Sequence, residues 1–236
     1  MKSTIHKANT RGFFDYGWLK TYHTFSFSSY HNPERINFGK LRVLNDDTIE
    51  GGQGFGTHPH NDMEIVTIPL EGALAHKDST GSEGVIYPDE IQVMSAGTGI
   101  RHSEYNHLND GTTKLLQIWV FPDKKGYEPR YDQKFFDAEE RKNKLQFIVT
   151  PEKKDDNLWL NQDTYFALTD LEKDKSIDYK LHTSGNGVYL FIIEGKISFG
   201  ENTLSKRDGI GIWDIEEFTV TSKEKSQLLF IEVPMD

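Results

Sequence analysis

Cysteine is absent from all 236 residues. Its absence excludes disulfides, thiolate zinc sites and cysteine-held iron–sulfur clusters, so any bound metal must be held by nitrogen and oxygen. Proline is scarce, at 8 residues, while aromatics reach 12%. That balance suits a folded β-rich chain rather than a disordered one. No apolar run approaches the roughly 20 residues that a membrane-spanning helix needs, and no charged-then-apolar leader stands at the amino terminus. The expected location is therefore the cytoplasm, with no membrane partner. Basic residues are outnumbered, 27 Lys and Arg against 37 Asp and Glu, for a formal charge of −10. Nucleic-acid binding rests on clustered Lys and Arg that neutralise phosphates, so no direct nucleic-acid partner is expected. A protein partner is favoured over DNA.

What is present is a succession of short strands. From Asn37 onward the segments "KLRVLND", "EIVTIPLEG", "ALAHKD", "EGVIYPD", "EIQVMSAG" and "KLLQIWVF" are each bounded by Gly, Asp, Asn or Pro. Such spacing predicts a β-barrel or sandwich. Upstream, "TFSFS" at residues 24–28 alternates as a strand would, inside an aromatic-rich stretch expected to close one side of the core. Residues 122–144 are charged and lack apolar alternation, so they are read as a connection with one short helix over 137–144. Strand-like segments then resume. The chain divides into two β-modules, 1–135 and 136–236, whose terminal segments are expected to cross over and complete the opposite module.

The stretch from Gly52 to Asn106 carries the chemistry. His58 and His60 are spaced i, i+2, as are His102 and Glu104. On a strand, side chains two apart leave the same face, so each pair can aim at one interior point. Two such pairs on neighbouring strands would make a four-ligand metal site. An isolated His-x-His is as often a pair of surface histidines, but glycines at 52, 54, 56, 97 and 99 allow the tight bends and close approaches of a barrel mouth. Glu64, four residues beyond His60, shares the parity and is a rival ligand. His76, with Asp78 two residues on, is expected to be structural.

The halves resemble each other: "VTIPLEGALAH" and "YLFIIEGKISF" share an apolar strand, a Glu-Gly turn and a second strand. Matching Glu71-Gly72 to Glu194-Gly195 sets His58 and His60 opposite Leu181 and Thr183. Matching Asp89 to Asp208 sets His102 and Glu104 opposite Thr221 and Lys223. The second module is therefore expected to lack a metal.

Four segments, "DYGWLKTYHTFSF", "FGKLRVLNDD", "GFGTHPHNDMEIVT" and "QVMSAGTGIRHSEYN", closely resemble the pirins, a two-barrel family of the cupin superfamily. The close likeness covers about residues 10–125. It implies an all-β fold of two cupin barrels (double-stranded β-helix, or jelly-roll) in tandem. It also implies that His58, His60, His102 and Glu104 are the metal ligands, with Glu64 a close neighbour. One divalent metal is expected in the first barrel, with Fe(II) favoured and Zn, Ni, Mn, Co or Cu able to occupy the same donors. Some pirins oxidise flavonols such as quercetin, which implies a dioxygenase. Its partners would be a small aromatic substrate and O2, with Glu104 or Glu64 as the base that takes the substrate's 3-hydroxyl proton. The second function the resemblance implies is a redox-sensing regulatory module that acts through protein partners without turnover. A monomer is expected.

Overall fold

The computed structural model describes residues 1–236 and contains 22 strands, two short 3-10 turns and no α-helix. The all-β expectation is met. Each half pairs a seven-stranded sheet with a four-stranded one. In the first half the large sheet runs, in spatial order, Arg130–Phe135, Glu90–Ser95, Glu64–Glu71, Thr113–Val120, Leu41–Ile49, Leu19–His23 and Gly12–Asp15. Its small sheet runs Gly54–His60, Ile100–Asn106, Leu74–Asp78 and Glu83–Ile86. In the second half the large sheet runs Lys2–His6, Gly209–Trp213, Asn186–Glu194, Ser226–Pro234, Tyr165–Leu171, Gln146–Thr150 and Leu158–Trp159. Its small sheet is Ser176–Lys180, Glu217–Ser222, Lys196–Phe199 and Asn202–Ser205.

The amino-terminal strand Lys2–His6 thus belongs to the second half's sheet, where it pairs with Gly209–Trp213. His6 anchors it there through Nδ1, 3.0 Å from the Tyr189 hydroxyl. The two large sheets face each other across the largest apolar cluster, 24 buried residues drawn from both halves. Because strand side chains alternate between faces, each central strand serves two cores at once. Along Thr113–Val120, Leu116, Ile118 and Val120 enter the cluster between the halves, while Leu115, Gln117 and Trp119 point into the first barrel. Along Ser226–Pro234, Leu229, Ile231 and Val233 enter the same central cluster and Leu228 and Phe230 fill the second barrel.

The two barrel interiors differ. The second is packed with a cluster of 15 buried apolar residues. The first holds two small apolar clusters, of 5 and 4 residues. Buried polar side chains stand beside them, including Asn45, Asp47, Gln92, His102 and Glu104. A polar, partly hollow interior forgoes the burial energy of a packed one, and such interiors usually serve ligands.

Two local expectations are corrected. Residues 24–28 do not continue a strand, which ends at His23. Ser28 takes a positive φ of 51° in a tight turn that pairs Phe27 with Tyr30, and the Ser26 hydroxyl bonds to Asn32. The expected helix over 137–144 is only a 3-10 turn, Ala138–Arg141, capped by the Asp137 side chain. The hairpin at Glu71-Gly72 forms as expected, with Gly72 at φ 78°, and its counterpart Gly195 lies at φ 88°.

Candidate metal centre

The strands Gly54–His60 and Ile100–Asn106 are antiparallel neighbours, with His102 paired to His58 and Ile100 to His60. The register shifts between His102 and Glu104, so that Glu104 opposes Phe55 and the first strand carries an extra residue there. Such a bulge bends a strand and re-aims its side chains. Gly54 permits the approach, since a Cβ at that position would collide with the backbone of Glu104 and Tyr105.

This geometry gathers three imidazoles. Ring centroids lie 4.9 Å apart for His58 and His60, 4.4 Å for His58 and His102, and 4.9 Å for His60 and His102. One ring nitrogen from each lies within 4.8 Å of the others, a spacing that lets one ion meet all three. His58 Nδ1 lies 2.8 Å from the Gly56 carbonyl, so it donates there and leaves Nε2 as the free lone pair. His60 meets the edge or face of Trp119 at 4.9 Å and 80°. His102 is 1% exposed, and neither of its ring nitrogens has a hydrogen-bond partner. Buried polar atoms rarely stand alone, so the orphaned imidazole fits a metal as its missing partner.

Burial lowers His60 to about 4 and His102 to about 3, with the neighbouring imidazoles adding to the shift. Both are neutral near pH 7, the form that binds a metal.

Glu104 lies beside this triad. It forms a second group of three with His76 and His102, again with ligand atoms within 4.8 Å, and so adjoins the first group through His102. Its carboxyl is 3% exposed and accepts from Gln117 Nε2 at 3.3 and 3.2 Å. Burial pushes it up to about 7, against the Gln117 hydrogen bond, with Asp47 adding to the rise. His76 is held by Asp78, Nε2 to Oδ2 at 3.0 Å, and stacks on Tyr131. The expected structural role of His76 fits these bonds, although its place against His102 was not expected.

The structure does not bring Glu64 to the cluster. Its two oxygens accept from Ser95 Oγ at 2.7 Å and Asn161 Nδ2 at 3.0 Å, which ties the first half to a segment of the second. In the second half, His182 Nδ1 lies 3.0 Å from the buried carboxylate of Glu232.

A cavity of about 400 Å³ opens onto His58, His60 and Glu104. It lies within the range of about 300–1,000 Å³ usual for small-molecule sites. Trp18, Phe27, Phe55 and Trp119 give it aromatic walls, and Asn45, Asp47 and Gln117 give it polar ones. Sequence reasoning missed Asn45, Asp47 and Gln117. The available signal was polarity at inward positions of apolar strands, in "RVLNDD" and "LLQIW". The loop 107–113 does not line this cavity.

Comparison with known proteins bears on this geometry. Residues 4–120 match the family described as Pirin, and residues 147–233 match the quercetinase C-terminal cupin domain. The chain is 41% identical to a quercetin 2,3-dioxygenase of Escherichia coli K12, over 98% of each chain. It is 39% identical to a pirin-like protein of Caulobacter vibrioides, over 92% of this chain and 94% of that one. The bacterial pirin YhhW of Escherichia coli, solved in complex with nickel(II), superposes with a TM-score of 0.94 at 38% identity over 100% of both chains.

Proposed function

The chain belongs to the pirin family, and from that premise we propose that it is a quercetin 2,3-dioxygenase-type oxidoreductase working through one divalent metal in its first barrel. The observation that carries this reading is the orphaned, buried His102 between His58 and His60, at the edge of an aromatic-walled cavity. We read His58, His60 and His102 as the ligands and Glu104 as the fourth. Three neutral imidazoles and a carboxylate are hard-to-borderline donors that suit Fe(II), which we read as the native metal. The nickel named for YhhW fits the same donor class.

When bound, the metal supplies Lewis acidity and, as iron, redox access to dioxygen. The chain's own groups do the rest. Glu104 takes the proton of the flavonol 3-hydroxyl on a carboxylate oxygen. The Gln117 amide holds that carboxylate, and Thr67 Oγ donates to Gln117 Oε1 at 2.9 Å, which fixes the amide's orientation. Trp18, Phe55 and Trp119 enclose the planar rings and exclude water. Glu64 has no part in the step, because Ser95 and Asn161 occupy its oxygens. Dioxygen contributes both its atoms, and the flavonol gives carbon monoxide and a depside, so no further reductant is required. We also read residue 135 as the end of the metal-bearing module, where strand Arg130–Phe135 closes the first sheet.

The experiment is quercetin consumption in air by protein stripped of metal and reloaded anaerobically with Fe(II), beside a His102→Ala control. Metal-dependent turnover with carbon monoxide release, lost in the control, is expected. Turnover no faster than free Fe(II), with loading confirmed by elemental analysis, would overturn the enzyme reading.

A further inference from the structure

Two cavities meet inside the first barrel. The one that opens onto the histidines is joined by a second, of about 290 Å³, that reaches Thr21 and His23. Trp18, Phe27, Asn45, Asp47 and Phe55 line both. The strand pairing sets Thr21 opposite Asp47 and His23 opposite Asn45, so these four side chains form a compact polar wall. They are 3–5% exposed; His23 Nδ1, Asn45 Oδ1 and Asp47 Oδ1 have no hydrogen-bond partner, while the Thr21 hydroxyl faces the Asp47 carboxyl. A buried polar atom left without a partner destabilises the fold that holds it. Three such atoms on one wall mark a place where a ligand's polar groups are awaited.

The chemistry of the wall narrows the ligand. Asn45 Oδ1 and Asp47 Oδ1 are acceptors, so the ligand must bring hydrogen-bond donors. Trp18, Phe27 and Phe55 are flat apolar surfaces, so it must be a planar ring.

We propose that Asn45 and Asp47, with Thr21 and His23 beside them, form a hydroxyl-recognition site. It selects planar aromatic substrates that carry a phenolic hydroxyl remote from their metal-binding oxygen. The identity of the ring rests on the flavonol reading above. These residues set specificity: a site built around buried acceptors rejects an analogue that lacks the matching hydroxyl, because the acceptors are then left bare.

The test compares quercetin with 3-hydroxyflavone, which keeps the metal-binding oxygens and lacks every other hydroxyl. Binding to zinc-loaded protein is measured by anaerobic equilibrium dialysis, so no turnover is needed. Wild type is expected to bind quercetin at least about tenfold more tightly, and Asp47→Leu and Asn45→Leu each to bring the two compounds within about threefold. Asp47→Asn, which keeps an acceptor, retains the preference. Metal content and urea midpoint establish that each variant is folded; if one Leu variant fails to fold, the other decides. A preference unaltered in the folded Leu variant, no preference in wild type, or no binding of either compound would overturn the proposal. Discrimination without quercetin consumption would leave this site standing and remove the dioxygenase reading. Consumption without discrimination would do the reverse.

Discussion

The Gln117 amide donates to both oxygens of Glu104, at 3.3 and 3.2 Å, from the neighbouring sheet. The same amide's oxygen is pinned by Thr67. Hydrogen bonds relayed through Gln117 therefore orient the Glu104 carboxylate beside the histidine triad.

Removing that support is expected to loosen the site without unfolding the barrel. Outer groups that orient a metal's ligands commonly contribute 10–100-fold to affinity or activity, and about that loss is predicted for Gln117→Leu. Competition against a chelator measures the affinity, and urea unfolding monitors the fold. Unchanged metal affinity and turnover together would mean that Glu104 needs no such support.

His102 and Glu64 are expected to separate cleanly. With His102→Ala the metal content of purified protein falls to a small fraction of one ion per chain. The thermal stabilisation that added metal gives the wild type, about 2.7 kcal/mol at a hundredfold excess over Kd, disappears. Glu64→Ala retains the metal but takes the acceptor from the Ser95 hydroxyl and one of two acceptors from Asn161, whose amide keeps Ser95 Oγ at 3.3 Å, at about 1–3 kcal/mol for the group left unpaired. Elemental analysis and unfolding curves on both variants check this. Metal loss from Glu64→Ala in a folded protein would return Glu64 to the ligand set.

Much of this was legible in the sequence, for reasons that also mark its limits. His58, His60 and His102 could be read because i, i+2 spacing on a strand is a geometric statement. The Glu-Gly turns could be read because a positive φ calls for glycine. Glu64 could not be assigned, since parity says which face a side chain leaves by but not whether a partner on another strand holds it. Asn161, 97 residues away, is such a partner. Residues 24–28 misled because their alternation is real, yet Ser28 turns the chain back after Phe27. The polar wall of Thr21, Asn45 and Asp47 exists only through pairing between strands.

The amino-terminal strand should loosen in acid. His6 is buried against Phe25 and Tyr189, and burial, with Arg35 adding, lowers it to about 4. In the unfolded chain it titrates near 6.5. Between these values the unfolded state binds more protons, so stability is full above about 6.5 and falls as pH drops toward 4, by at most about 3 kcal/mol. Urea unfolding of wild type and His6→Phe from pH 7 to pH 4 measures the difference. A smaller acid loss in the variant is expected, and identical slopes would exclude His6 as the cause.

Glu232 shows what the second barrel does with the corresponding interior. It pairs across to Val188 as Trp119 pairs to Ile65, the positions matched through the two Glu-Gly turns. Burial alone would raise its carboxyl. Hydrogen bonds from His182, Thr183 and Tyr179 outweigh that and hold it below the usual glutamate range. Asn186 Nδ2 also donates to it, at 3.1 Å. Each donor meets the carboxylate, so the group is satisfied within the chain, whereas His102 is not. Glu232→Leu should therefore leave those donors unpaired and destabilise the protein by several kcal/mol, as losing one partner of a buried charged network does. Metal content and metal affinity should stay at the wild-type level. Because the native pKa is depressed, the stabilisation from Glu232 is present above the unfolded carboxyl's range and is lost as pH falls through the native value. Unfolding curves at pH 7 test the first expectation and metal titration the second. A variant as stable as wild type would mean that the network contributes nothing net, and a variant that loses metal would mean that the two barrels are coupled through the core they share.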